Sequence, residues 1–260
     1  MFRPRVIPCL LIKGNGLYKT INFKNPKYLG DPINTVSIFN EKCVDELIFL
    51  DITATNDNKN PNIELIKKLA SESFMPVGYG GGITTVDQVK EILNIGIEKV
   101  IINTAAIKNP DFVNKASQFA GSQSIVVSID IKKNFFGNYI VYTNAGTVNT
   151  KKNPLDVAKQ MVAAGAGELI INSIDNDGMM NGYDIKLTRQ IADNVDVPVV
   201  SCGGAADLVD LQKVVREGHA SAVAAGSMFV YYGPHKAVLI TYPTEEQLEY
   251  LFIDKEYING

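Results

Sequence analysis

The chain has 260 residues, 46 % of them hydrophobic and 20 % charged, with a formal net charge of −3. This composition suits a globular protein with a sizeable core, and its slight acidity excludes the strong basic field that general nucleic-acid or membrane-surface binding requires. No apolar run reaches the ~18 residues of a membrane span, and the N-terminus has no cleavable signal pattern. The three cysteines, Cys9, Cys43 and Cys202, lack metal-ligand spacing. A cytoplasmic chain with reduced thiols, no metal and no cofactor is expected.

In chain order, short apolar runs alternate with amphipathic segments. The runs are "RVIPCLL" (Arg5 to Leu11), "ELIFLDI" (Glu46 to Ile52), "MPVGYG" (Met75 to Gly80) and "KVIINTA" (Lys99 to Ala105). Four more follow: "SIVVSIDI" (Ser124 to Ile131), "ELIINSID" (Glu168 to Asp175), "VPVVSCG" (Val197 to Gly203) and "SAVAAGS" (Ser221 to Ser227). Between them, segments such as "TVDQVKEILNIG" and "DLVDLQKVVREG" carry apolar residues three or four apart and close on glycine, as helices do. Eight strand–helix units predict a closed (βα)8 TIM barrel in one domain, with an open doubly wound sheet as the alternative.

The runs also repeat. Glu46 and Glu168 stand 122 residues apart, as do Met75 and Val197, and Gly96 and Gly218. This registration predicts a doubled half-barrel, with halves at about 1–122 and 123–240 and a tail at about 241–260. Gly233 and Pro234 should break any helix directly after the last strand. His219 and His235 have no partner at a telling spacing and read as surface residues.

Candidate chemistry falls at the strand ends, where barrel enzymes place their reacting groups. Gly81 and Gly82 with Asn103 and Thr104 in the first half match Gly203 and Gly204 with Gly226 and Ser227 in the second. Exposed backbone N–H groups at these turns make anion sites, so two phosphate pockets across one mouth are expected. Asp51, Asp130, Asp175 and Asp177 also stand at or just past strand ends, and Asp130 is the best general acid or base among them. At the other end, Arg5, Glu46, Lys99 and Glu168 each open an otherwise apolar strand, two bases alternating with two acids.

These motifs, "RVIPCL", "FLDITA", "GGGI", "INTAA", "SIDNDG", "GYD" and "CGGA", resemble the cyclase (HisF) subunit of imidazole-glycerol-phosphate synthase, a ribulose-phosphate-binding type of barrel, from about Arg5 to Phe229. The resemblance implies a lyase-type subunit of a glutamine amidotransferase, which takes ammonia from a glutaminase (HisH-like) partner and delivers it to a phosphorylated ligand. It implies an ammonia gate at Arg5, Glu46, Lys99 and Glu168, a mobile-loop lysine at Lys19, and a substrate contact at Asp177. It also implies a catalytic pair of aspartates on strands one and five. The second falls on Asp130, but the first falls on Leu11, which cannot exchange a proton. The offset of that pair is 119 rather than 122.

The missing aspartate beside the retained gate and phosphate turns, with the stretch "CLLIKGNGLYKTINFKNPKYLGDPINT", makes the chain similar to a divergent branch associated with bacterial surface-polysaccharide genes. There the barrel and its glutaminase would serve a sugar amidotransferase making acetamidino sugars, with a phosphorylated small molecule or nucleotide-sugar as ligand. A working histidine-pathway cyclase and a non-catalytic phosphate-binding scaffold are the alternative functions.

Overall fold

The computed structural model describes residues 3–252. Its eight barrel strands are β1 (Arg5–Lys13), β2 (Leu47–Asp51), β3 (Val77–Gly80), β4 (Lys99–Ile102), β5 (Ile125–Lys133), β6 (Glu168–Ser173), β7 (Val199–Cys202) and β8 (Ala222–Ala225). Each pairs in parallel with its neighbour, and β8 pairs with β1, so the sheet closes into a (βα)8 barrel. The helices α1 (Pro32–Glu41), α2 (Ile63–Glu72), α3 (Val86–Ile95), α4 (Pro110–Ala120), α5 (Pro154–Ala163), α6 (Ile185–Ala192) and α7 (Leu208–Arg216) follow the first seven strands.

Local sequence sets these boundaries. Thr85 and Gln88 close a capping box at the start of α3, and Gly96 ends it in the left-handed conformation at φ 112°. Asn153 caps α5 with Pro154 at its first position, where the missing N–H costs nothing.

Alternation along the strands sorts side chains into two apolar layers. Val6 and Leu10 point outward into the packing between strands and helices, whereas Ile7 and Cys9 point inward with Ile48, Ile101, Val126 and Ile170. The barrel therefore has a dry, filled waist that separates its two ends.

Two departures from the expected pattern matter for function. First, β1 and β5 each run on into an antiparallel hairpin. The hairpin after β1 uses Gly16–Ile21 and Lys24–Gly30, and that after β5 uses Tyr139–Thr143 and Val148–Asn149. Second, the eighth helix is displaced. A small hairpin, Tyr231–Tyr232 with Ala237–Val238, carries the Gly233–Pro234 break, and α8 (Glu245–Phe252) forms inside the expected tail, burying Leu248. Residues 253–260 of that tail lie outside the described residues.

The ladder register resolves the 119-residue offset. Leu11 faces Leu50 across β1–β2, and Asp130 faces Asn172 across β5–β6. Leu50 and Asn172 are themselves related by the 122-residue repeat, so Leu11 and Asp130 hold equivalent positions. The segment from Asp130 to Asn172 is three residues longer than that from Leu11 to Leu50, which accounts for the difference.

Candidate functional site

The ends of the strands open into a cavity of about 610 Å³. Leu11, Lys19, Gly81, Gly82, Asn103, Thr104, Asp130 and Asp177 line it, together with Gly203, Gly204, Gly226 and Ser227. Of the strand-end residues singled out from the sequence, all but Asp175 therefore share one space.

The four glycines of the matched turns are required by the backbone itself. Gly81, Gly82, Gly203 and Gly204 all have positive φ, and a β-carbon at Gly204 would lie 2.1 Å from the Gly182 carbonyl oxygen.

The two cradles differ in their free polar groups. In the first, Thr104 Oγ1 donates to Asn103 Oδ1 at 3.0 Å and accepts from Asn144 N at 2.9 Å, while Asn103 Nδ2 donates to the Ser128 carbonyl at 2.9 Å. In the second, the buried Ser227 Oγ has no protein partner. The Lys19 side chain passes over Gly226, where a β-carbon would come within 3.2 Å of Lys19 Cε. The second cradle thus combines a cation with an uncommitted hydroxyl.

Lys19 is not on a free loop. It sits on the Gly16–Ile21 strand, 6 % exposed, and its Nζ donates to Asp177 Oδ1 at 2.7 Å. Thr20 Oγ1 donates to Asp177 Oδ2 at 2.8 Å. The hairpin locks the lysine in place because its neighbour Asn22 donates from its backbone to the Asp177 carbonyl.

Of the four strand-end carboxylates, three are used by the fold. Asp51 Oδ1 accepts from Thr53 N, Thr53 Oγ1 and Ala54 N within 3.0 Å, holding its own loop. Asp175 Oδ2 accepts from Lys133 N at 2.8 Å, and Asp177 holds Lys19 and Thr20. Asp130 has only the Asn172 amide, at 3.4 Å, and a hydrogen bond from Ser128. Burial pushes its pKa up to about 7; the Asn172 and Ser128 bonds oppose that rise and the nearby Asp177 charge adds to it. Asp130 is thus the strand-end carboxylate suited to proton transfer near neutral pH.

At the opposite end, the four charged strand openers meet in a closed ring. Arg5 pairs with Glu46 and with Glu168 (2.7 Å), and Lys99 Nζ lies 2.9 Å from Glu46 and 2.8 Å from Glu168. Burial works against the Arg5 charge, but Glu168 and Glu46 outweigh it and raise its pKa. The apolar waist lies between this ring and the cavity.

Sequence reasoning missed Asn172, Leu50 and Cys202 as cavity residues, although a polar Asn inside the apolar "ELIINS" was a visible signal. A hydrogen bond with Cys9, together with burial, holds the Cys202 thiol well above its usual pKa, in its unreactive protonated form. His219 does have a partner, with Nδ1 at 2.5 Å from Asp193 Oδ1 on the surface. Among the described residues no cluster of metal-ligating side chains occurs, and no helix is long and apolar enough to cross a membrane.

The family pattern described as "Histidine biosynthesis protein" matches residues 5–236. The chain belongs to that family. It is 51 % identical over 249 residues to a Pseudomonas aeruginosa protein provisionally named imidazole glycerol phosphate synthase subunit hisF2, covering 96 % of this chain and 99 % of that one. A Leptospira interrogans protein, provisionally named as the HisF subunit of the same synthase, is 46 % identical over 97 % of this chain and all of its own. A Vibrio vulnificus protein carrying the subunit name hisF3 is 44 % identical over 95 % of each chain. The family match and these relatives together support a HisF-like synthase subunit.

Proposed function

We propose that the chain is the ammonia-receiving barrel of a glutamine amidotransferase pair, serving the amidination of a bacterial surface-polysaccharide sugar rather than imidazole-ring closure. The observation that carries this reading is Leu11. It occupies the position equivalent to Asp130 in a cavity whose other strand-end carboxylates are committed to loops or to Lys19. The ring of Arg5, Glu46, Lys99 and Glu168 supports a conduit. A glutaminase docked on that face would release ammonia beside it, and the waist of Ile7, Ile48, Ile101, Val126 and Ile170 favours a neutral molecule over an ion. Backbone amides of the two cradles, with Lys19 and Ser227, would hold a phosphorylated ligand or nucleotide-sugar at the mouth. A sugar amidotransferase is the acceptor on that side.

A second reading, in keeping with the subunit names of the relatives, is a true cyclase in which Asp130 acts alone. Losing one of two acid–base groups is worth ~10²–10⁴-fold. One measurement separates the readings and a second tests the role they share. Imidazole-glycerol-phosphate formation from ammonium salts should be undetectable with the native chain and should appear in Leu11→Asp; a robust native rate would establish the cyclase. Independently, the native chain should stimulate a HisH-type glutaminase several-fold, and a flat response would remove the ammonia-receiving role.

A further inference from the structure

The wall of the cavity is lopsided where the barrel interior opens into it. Leu11 sits beside Leu50 on the first half, and the equivalent places on the second half hold Asp130 and Asn172. All four line the cavity, so one side of the opening is apolar and the other polar. Asn172 is 6 % exposed. Its Nδ2 donates to Asp130 Oδ1 at 3.4 Å, and its Oδ1 has no protein partner. A buried amide oxygen left unpaired is destabilising, a cost that leucine avoids at the repeat-equivalent position of the same barrel. Below Asn172 on β6 stands Ile170, which clusters with Val126 and Ile101 in the apolar waist; opposite Ile170 on β5 is Ser128, whose hydroxyl is engaged with Asp130. A small hydrogen-bond donor leaving that waist meets Asn172 Oδ1 as an open acceptor, with the Asp130 carboxylate at its side.

We propose that Asn172 and Asp130 form a holding station for ammonia at the top of the barrel interior, with Asn172 Oδ1 and the Asp130 carboxylate both accepting its N–H bonds. Nδ2 of the same asparagine fixes Asp130, so a single side chain sets the spacing between the two acceptors. Leu11 and Leu50 offer nothing opposite, and the nucleophile is presented from the second half only. The station rests on the ammonia-receiving reading above and adds to it the residues that bind the transferred nitrogen.

The test needs no knowledge of the final substrate. In ¹³C,¹⁵N-labelled protein at pH 8, where Asp130 is largely ionised, the Asn172 side-chain amide is followed by NMR and assigned by its loss in Asn172→Leu. Ammonium chloride should shift it saturably, while sodium and tetramethylammonium chlorides at equal ionic strength should not. Asp130→Asn should raise the midpoint by about tenfold or more, the usual loss for one hydrogen bond to a charged partner. In Asn172→Leu, the ammonium response of the Asp130 carboxyl carbon should disappear; if that variant does not fold, the native titration decides alone. No saturable shift means that the oxygen serves only water, and an equal shift with potassium chloride means a size-matched cation; either result overturns the station. Glutaminase stimulation is measured on the same preparation. Stimulation without an ammonium response sinks the station alone, whereas no stimulation sinks the reading beneath it.

Discussion

Asp130 gains its reactivity at a cost in stability. Its folded-state pKa is raised to about 7 from the 3.8 of a free carboxyl, first by burial. The sign follows from linkage. Below the unfolded value both states hold the proton and burial carries no penalty; between the two values only the unfolded chain ionises, so stability falls as pH rises and levels off above about 7. A rise of that size is worth up to about 4 kcal/mol, less whatever the site recovers by relaxing or admitting water. Asp130→Asn should therefore be more stable than the native chain by about 2–4 kcal/mol at pH 8 and indistinguishable from it near pH 3.5, as read from urea unfolding at the two pH values. Equal stabilities at pH 8 would mean that the carboxyl is solvated. The carboxylate was legible as a charge ending an apolar run. Its isolation was not, because the commitments of Asp51, Asp175 and Asp177 are made by loop backbone and by a hairpin whose pairing no spacing reveals.

The hairpin Gly16–Ile21/Lys24–Gly30 escaped the sequence reading for a conformational reason. Its turn residues, Asn22 and Phe23, have φ of 49° and 63°. A two-residue turn with both φ positive is normally signalled by Asn-Gly, and a phenylalanine there hides it. Lys19 as a mobile-loop residue is what the family resemblance implies, whereas the structure places it on a paired strand. Asp177 takes two side-chain bonds from Lys19 and Thr20 and one backbone bond from Asn22, and Asn22 Nδ2 adds bonds to the carbonyls of Ile174 and Asp175. Gly178 beneath it leaves no room, since a β-carbon there would lie 2.3 Å from the Thr20 carbonyl oxygen. Asp177→Asn leaves a buried ammonium without its counter-charge, and a buried pair broken on one side is strongly unfavourable. The expected result is local opening: amides of Leu17 to Ile21 exchange about tenfold faster or more, while α3 and β7 keep their protection. Adding Lys19→Met to Asp177→Asn, which removes the stranded charge, should reduce the opening. A uniform loss of protection across the barrel would show that Asp177 supports the whole fold instead.

At the scale of the molecule, the doubled architecture was the most legible feature, because a 122-residue repeat of glycines and apolar runs survives whatever the loops do. The four strand-opening charges were legible singly; that they pair into one ring depends on barrel closure, which brings β1, β2, β4 and β6 together at one end. The register adds an asymmetry to the ring. Glu46 and Glu168 are repeat equivalents, but both bases come from the first half: the counterpart of Arg5 is Ser124, and that of Lys99 is Ala222 by its place opposite Val200. Glu168 is then the second half's one contribution to the ring, bridging Arg5 at 2.7 Å and Lys99 at 2.8 Å. Glu168→Gln leaves two cations facing Glu46 alone. Breaking a fully buried ion pair on one side costs about 3–5 kcal/mol, and the partial exposure of Arg5 and Lys99 brings the expected loss to about 2–3 kcal/mol in urea unfolding. Added salt should rescue little of it, because the acids are almost wholly covered. Glu168→Gln/Lys99→Met rebalances the ring and should recover part of the loss, while stimulation of a docked glutaminase stays reduced in both variants if the ring is the ammonia entrance. A double variant that restored stability and stimulation together would make the ring a structural clamp alone.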